Sequence, residues 1–238
     1  METLDRRDLV KSAGLVAAAA MAVGATTGAS AQAQSAPGKA ATYQIKPLPF
    51  DPKSIKGLSE KILTSHHHNN YAGAVRRLNT ISAQFAALDV ATAPVFTING
   101  LKREELIAMN SMILHDLYFD SLGAGGAPTG DLAQALTRDF GSVERWRAEF
   151  SAMGKAEGGG SGWVLLAWSP HDKRLVNSWA ADHTHTVAGG RPILALDMYE
   201  HAYHMDYGAG AAGYVDAYMQ AINWNNVSSL FDRYSRQA

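Results

Sequence analysis

Cysteine is absent from the 238-residue sequence. Its absence excludes disulfide bonds, thiolate metal sites and cysteine nucleophiles, and it is compatible with an oxidising compartment. Any metal site in this chain must therefore use nitrogen and oxygen ligands.

An excess of charge of one sign is also lacking, since 21 Lys and Arg side chains balance 22 Asp and Glu side chains and the formal net charge is −1. Basic residues are scattered, and beyond the N-terminus only Arg76 and Arg77 form a tight pair, which is too little for a surface that follows a phosphate backbone. We therefore predict no nucleic-acid binding. With 47% hydrophobic residues, the chain suits one globular unit with a sizeable core.

Long hydrophobic runs are missing too, because the longest, from Ala13 to Ala25, is too short to span a bilayer comfortably. Arg6 and Arg7 precede this run, and A-S-A at 29–31 is a small-residue cleavage signature. Residues 1–31 are therefore predicted to be an export signal peptide that resembles the twin-arginine type. An ordinary secretory signal is the alternative, and the cleavage point is open. Both predict a periplasmic or secreted protein with no membrane attachment after cleavage.

The remaining sequence predicts an α+β fold. Residues 32–46, rich in Ala, Gln, Ser, Pro and Gly, are expected to form a disordered linker. Residues 47–125 are predicted to form an N-terminal helical hairpin, with one long or broken helix over 55–88 and a second over 102–122. Residues 126–238 are predicted to form an α/β layer with four helices and a short three-stranded antiparallel sheet, whose last strand ends at Asp197.

Nine histidines are present, and eight of them fall in four groups. These groups are His66-His67-His68, His115, the pair His183 and His185, and the pair His201 and His204. A lone helical histidine is most often a surface residue or a satisfied core residue. However, the apolar residues around His115 indicate a buried histidine, which needs a partner or a metal. Three imidazoles with one carboxylate would suit iron, manganese or zinc.

Several motifs in a fixed order identify a resemblance to the iron/manganese superoxide dismutase family, from about Pro47 to the C-terminus. The most specific is P-I-L-A-L-D-M-Y-E-H-A-Y at 192–203, and the others are L-P-F-D-P at 48–52, the histidine pair followed after ten residues by L-N, G-S-G-W at 160–163 and N-W at 223–224. The resemblance implies one iron or manganese ion per subunit, held by His66, His115, Asp197 and His201. It leaves the choice of metal open.

Two further assignments follow from the resemblance. The segment R-R-L-N at 76–79 selects His66 as the first ligand, whereas a slip of one residue would select His67, which faces another side of the helix. Glu200 matches a carboxylate that reaches across a dimer interface to a ligand histidine of the partner subunit. A homodimer is therefore expected, with a tetramer as the open alternative.

The sequence departs from the family where substrate enters. Ala74 replaces a tyrosine, Asn70 replaces the histidine beside it, and His204 replaces the tyrosine that this histidine meets across the dimer. Because both Asn70 and His204 differ from the histidine and tyrosine that pair in the family, we predict a rearranged entrance for the substrate, called the gateway below. The glutamine that hydrogen-bonds the metal-bound solvent is also missing, since Ser111 and Ala181 occupy its two alternative positions.

We hypothesise that His183 or His185 supplies the missing hydrogen bond; the alternative is that both are exposed loop histidines. Trp163, Tyr199 and Phe119 are expected to keep the site dry. The resemblance implies that the metal-bound solvent carries the proton, and we assign no separate catalytic side chain.

The function implied is dismutation of superoxide, a small anionic substrate, to oxygen and hydrogen peroxide in the periplasm. Two alternatives use the same ligands: another metal-dependent redox enzyme, made plausible by Ala74 and Ala181, or a non-catalytic periplasmic iron- or manganese-binding protein.

Overall fold

The computed structural model describes residues 38–237. The predicted signal peptide and the first part of the predicted linker lie outside this range. Among the described residues, no helix combines the length and the apolar character needed to cross a membrane.

The segment 38–46 belongs to the predicted linker. It lies beside residues 79–86, where the Gly38 amide donates to the Ala86 carbonyl at 3.0 Å. Further along, the Tyr43 amide donates to Asn79 Oδ1 at 2.7 Å, and Asn79 Nδ2 returns a bond to the Tyr43 carbonyl at 2.9 Å. These bonds give the backbone polar groups of the segment partners within the helical layer.

The N-terminal layer contains α1 (Glu60–Ser65), a π-helical turn (His66–Tyr71), α2 (Ala72–Ala87) and α3 (Val95–Asp120). Ser59 caps α1 by accepting from the Ile62 amide at 3.1 Å. The predicted first helix is therefore one uninterrupted helical stretch from Glu60 to Ala87, with the π-helical turn inside it. Helix α3 begins seven residues before the predicted Lys102, directly after Pro94, because proline is tolerated at a helix start even within a breaker-rich segment.

The C-terminal layer begins with α4 (Gly130–Phe140) and α5 (Val143–Ala156). Ser142 Oγ accepts from the Arg145 amide at 3.0 Å and thereby caps α5. The sheet contains β1 (Trp163–Ser169), β2 (Arg174–Ala180) and β3 (Arg191–Asp197), antiparallel in the order β2-β1-β3. Strand β1 is central and buried at every position, which explains its continuous apolar sequence.

Three helices complete the layer: α6 (His204–Tyr207), α7 (Ala211–Gln220) and α8 (Trp224–Ser235). One large apolar core joins residues of the helical layer to the sheet, and helix α3 packs against strand β3. The α+β architecture with its three-stranded antiparallel sheet is confirmed. The contact between α3 and β3 brings His115 close to the end of β3, where the chain continues from Asp197 into a 3₁₀ turn (Glu200–Ala202).

Candidate metal centre

Four side chains from separate parts of the chain converge at the contact between the layers. They are His66 in the π-helical turn, His115 on α3, Asp197 at the end of β3 and His201 in the 3₁₀ turn. One ligand atom from each lies within 4.8 Å of all the others. Asp197 Oδ2 is the centre of the group, at 3.1 Å from His66 Nε2, 3.2 Å from His201 Nε2 and 3.5 Å from His115 Nε2.

His115 has a fixed tautomer. Its Nδ1–H donates to the Ser111 carbonyl at 2.6 Å, so Nε2 carries the lone pair that faces the other three residues. Burial, with the neighbouring His66 as the next cause, lowers the pKa of His115 to about 3. His115 Nε2 is buried and has no hydrogen-bond partner among residues 38–237. A buried, neutral imidazole nitrogen whose lone pair has no hydrogen-bond partner is well suited to bind a metal ion.

Asp197 is an ionised carboxylate enclosed by the protein. Burial alone would raise its pKa, but His201, followed by hydrogen bonds from His201 and His66, holds the pKa well below the usual aspartate range. Its second oxygen, Oδ1, accepts from the Tyr199 amide at 2.9 Å. This bond leaves Oδ2 directed at the three imidazoles.

The histidine triplet separates into three environments. His66 is buried in the cluster, whereas the His67 ring lies on another side and its Nε2–H donates to the Lys46 carbonyl at 2.8 Å. His68 is exposed. Burial lowers the pKa of His66 despite its bond to Asp197, so this ring is neutral and able to coordinate. Of the two sequence alternatives, the structure brings His66, not His67, to the other three residues.

His183 lies beside the cluster. Its ring centroid is 6.0 Å from that of His115, and Asn110 Nδ2 on α3 donates to its carbonyl at 2.6 Å. Trp163 Nε1–H donates to His183 Nδ1 at 3.0 Å. Since burial lowers the pKa of His183, the ring is neutral and its proton is on Nε2. His183 therefore offers one N–H donor near the metal ligands.

Aromatic rings enclose the cluster, as expected. Trp163 packs edge-on against His115 at 5.2 Å, and Phe119 contacts His66 at 5.1 Å. Tyr199 stacks between His183 and His201, with centroid distances of 4.8 and 5.3 Å. These rings pack directly against the three histidines of the cluster and against His183, and such packing restricts the orientation of an imidazole.

His185 lies away from the cluster, in contrast to His183. Its Nδ1 bonds to Asp182 Oδ1 at 3.0 Å, its ring packs near Trp179 at 6.0 Å, and its side chain is 51% exposed. Of the two histidines expected to supply the missing hydrogen bond, His183 is the one whose ring contacts a member of the quartet, whereas His185 is carried out toward solvent. Ala181 contributes only its carbonyl, which accepts from Ser161 Oγ at 3.2 Å.

The residues of the altered gateway occupy two surfaces. Asn70 and Ala74 line a cavity that Ser111 and His183 also line. Glu200 and His204 do not line this cavity and are exposed. They flank His201 in sequence, whose side chain is 23% exposed while those of His66, His115 and Asp197 are at most 1% exposed.

Tyr214 on α7 supports the site, although no sequence motif marks it as a site residue. Its buried hydroxyl donates to the Asp197 carbonyl at 2.8 Å. The only sequence signal was the helical spacing of Tyr214 and Tyr218, which indicates a core face and not a role at a metal site.

The residues present fit an iron or manganese ion. Three imidazoles and one carboxylate form a mixed nitrogen and oxygen set. The unpartnered Nε2 of His115 and the crowding of three nitrogens around one carboxylate oxygen are the features that a metal would resolve.

Comparisons with known proteins agree with this geometry. A family model described as "Iron/manganese superoxide dismutases, C-terminal domain" matches residues 128–230. The chain is 68% identical to "Superoxide dismutase [Fe]" of Cupriavidus metallidurans over 189 residues, covering 79% of this chain and 96% of that protein. It is 34% identical to "Superoxide dismutase [Mn] 1" of Halobacterium salinarum, covering 80% and 96%. It is 30% identical to "Superoxide dismutase [Mn/Fe]" of Propionibacterium freudenreichii subsp. shermanii, covering 80% and 97%. The chain therefore belongs to the iron/manganese superoxide dismutase family.

Proposed function

We propose that this protein is a superoxide dismutase that binds one iron or manganese ion through His66, His115, Asp197 and His201. It converts two superoxide anions and two protons into one oxygen molecule and one hydrogen peroxide molecule. The observation that carries the proposal is the buried quartet itself, in which His115 Nε2 has no partner among the described residues. The relatives named as iron, manganese and manganese/iron superoxide dismutases support the same assignment.

The protein side chains perform three tasks in this proposal. A bound ion supplies the one-electron exchange with each superoxide. Asp197 balances the charge of the ion; the Tyr199 amide holds its carboxylate, and the Tyr214 hydroxyl holds its backbone carbonyl. The hydrogen bond from His115 to Ser111 keeps the imidazole lone pair directed at the centre of the group.

His183 takes the part of the missing glutamine. Trp163 donates to its Nδ1, which leaves the Nε2–H as a donor for the solvent or superoxide that occupies the open side of the site. A hydrogen bond of this kind tunes the basicity of the solvent and thereby the redox potential. Replacement of glutamine by histidine therefore preserves the donor and changes its strength.

We also propose that the protein forms a homodimer. The only partly exposed member of the quartet, His201, lies next to the exposed Glu200, and Met205 presents a 46% exposed apolar side chain nearby in sequence. A second copy that covers this flank would exclude water from His201 and offer Glu200 a histidine to bind.

Export to the periplasm is proposed from the arginine pair and apolar run at 1–31. Fractionation of cells that produce the full chain is expected to find the protein in the periplasm, and replacing Arg6 and Arg7 by lysine is expected to retain it in the cytoplasm. Unchanged periplasmic location of the double variant would assign the protein to the ordinary secretory route.

The direct test of the activity is stopped-flow measurement of superoxide decay by protein loaded separately with iron and with manganese. We expect rates near the diffusional ceiling of about 10⁸–10⁹ M⁻¹s⁻¹ with one metal. The variant His115→Ala is expected to lose both bound metal and activity, whereas the matched variant His171→Ala, at an exposed turn, is expected to keep both. Stoichiometric metal without catalysed decay would favour a redox enzyme of another kind or a metal-binding protein.

A further inference from the structure

A cavity of about 290 Å³ lies next to the metal centre, between α2 and α3. One wall consists of small or aliphatic residues, namely Gly73, Ala74, Ile107 and Ala108. A diatomic anion needs little more room than one water molecule, which occupies about 30 Å³ in the liquid. The cavity is therefore larger than superoxide requires, and it can hold a ligand of several heavy atoms.

The polar part of the cavity contains several side chains that can donate a hydrogen bond. It is lined by Asn69, Asn70, Arg77, Ser111 and His183, and none of its lining residues is acidic. Arg77 pairs with Glu104, but Glu104 is not part of the lining, and a guanidinium has five N–H groups to distribute. The lining therefore has a cationic side chain and no carboxylate, which favours an anion with oxygen acceptors.

Two of these donors lie nearest the metal ligands, and the structure defines both of them. The His115 Nδ1–H already donates to the Ser111 carbonyl, so the Ser111 hydroxyl has no proton to give to that nitrogen and is able to donate elsewhere. His183 accepts from Trp163 at Nδ1, so its proton is on Nε2. Two neutral donors next to an apolar wall match a carboxylate group with a short alkyl chain.

We infer that this cavity is a binding site for a small planar oxyanion, of which a short carboxylate and bicarbonate share the required chemistry. The bound oxyanion lies between solvent and the metal centre, without requiring coordination to the metal. It therefore competes with superoxide for the approach to the site. The apolar wall favours carboxylates over bicarbonate, because it contacts a methyl or ethyl group but gains nothing from a hydroxyl.

The test uses the mature protein loaded with manganese, whose unpaired electrons broaden the ¹³C resonance of any ligand held nearby. Titrations with ¹³C-labelled acetate and bicarbonate are expected to show saturable broadening in the millimolar range, since so few heavy atoms limit the affinity. Propionate is expected to displace acetate. The measurement reports binding whether or not the protein dismutates superoxide, so its outcome is separate from that of the proposed function.

Three variants localise the binding. Ala74→Leu fills the cavity, and Arg77→Gln removes its cationic side chain; each is expected to weaken acetate binding at least tenfold. Ala83→Leu makes the same change as Ala74→Leu on the exposed face of α2 and is expected to bind acetate normally. If Ala74→Leu fails to fold, the acetate affinity of Arg77→Gln alone tests whether the cavity is the binding site.

Three results would overturn the inference. The first is absence of saturable broadening by both anions in the unaltered protein. The second is binding that neither Ala74→Leu nor Arg77→Gln changes, which would place the anion on the metal itself. The third is equal binding of phenol or phosphate, which would remove the preference for a planar oxyanion. Broadening by bicarbonate but not acetate would refute the role of the apolar wall.

Discussion

Replacement of Glu157 by glutamine is predicted to stabilise the protein in alkaline solution. Glu157 caps the C-terminal end of α5, and both of its carboxylate oxygens are buried without a hydrogen-bond partner among residues 38–237. Its Oε2 lies 2.5 Å from the position that a Cβ would take on Gly162, so the carboxylate packs directly on the backbone before β1. Burial, together with the negative charge of Asp197, raises the pKa of Glu157 to about 8.

The raised pKa makes stability depend on pH with a definite sign. Between pH 4.5, the ordinary value, and about 8, the folded chain keeps a proton that the unfolded chain has released. The free energy of unfolding therefore falls as pH rises through this window, and it is constant above it. Without screening, this rise in pKa would amount to about 5 kcal/mol. Glu157 as a whole is only half-buried, so solvent screening reduces the expected loss to about 2 kcal/mol.

Urea denaturation of the metal-free mature protein at pH 5 and pH 8.5 measures this effect without the pH dependence of metal binding. Glu157→Gln is expected to be about 2 kcal/mol more stable than the unaltered protein at pH 8.5, and nearly equal to it at pH 5. The control Glu149→Gln, at an exposed position on α5, should show the same pH dependence as the unaltered protein. If Glu157→Gln also retains the full loss between the two pH values, Glu157 does not carry the buried proton.

Three further predictions concern the metal centre. His183→Ala is expected to slow superoxide decay about 10- to 100-fold while metal content, measured by atomic absorption, stays stoichiometric; an unchanged rate would contradict the role of its Nε2–H. Tyr214→Phe removes the hydroxyl that donates to the Asp197 carbonyl and is expected to lower the free energy of unfolding by about 1–3 kcal/mol in urea; a change below about 0.5 kcal/mol would show that water replaces the bond. Removal of the metal by a chelator is expected to cost about 4 kcal/mol of stability relative to protein with free metal at 1,000 times its Kd, and identical melting of the two forms would argue against binding at the quartet.

Much of the secondary structure was predictable because local signals agree with the tertiary structure. The three-stranded antiparallel sheet and the end of β3 at Asp197 match the prediction, since apolar runs between turns define the strands. The start of α3 was not predictable, because Val95 and Phe96 are exposed and give no amphipathic signal there. The order in 38–46 also depended on partners elsewhere, such as Asn79, which lies 36 residues from Tyr43.

The site could be predicted only in part, and for a clear reason. His66 and Asp197 meet although 131 residues separate them, and no periodicity encodes such a contact. Matching to family motifs identified the quartet, whereas the histidines proposed to replace the missing glutamine have no family counterpart to match. The choice between His183 and His185 therefore required the fold, which turns one ring toward Trp163 and the other toward Asp182.

The π-helical turn at His66–Tyr71 links the metal centre to the altered gateway. A π-helical turn contains one residue more than a regular α-helical turn. It therefore changes the directions in which the neighbouring side chains point. Here the turn places His66 in the buried cluster, lets His67 bind the Lys46 carbonyl and leaves Asn70 at the edge of the cavity. Ala74, one turn further on, then lies over the cavity and not over the core of α2. The π-helical turn therefore both supplies the ligand His66 and determines which residues line the cavity next to the metal centre. Because position 74 lines this cavity, an alanine in place of the family's tyrosine leaves space beside the metal centre and not inside the hydrophobic core.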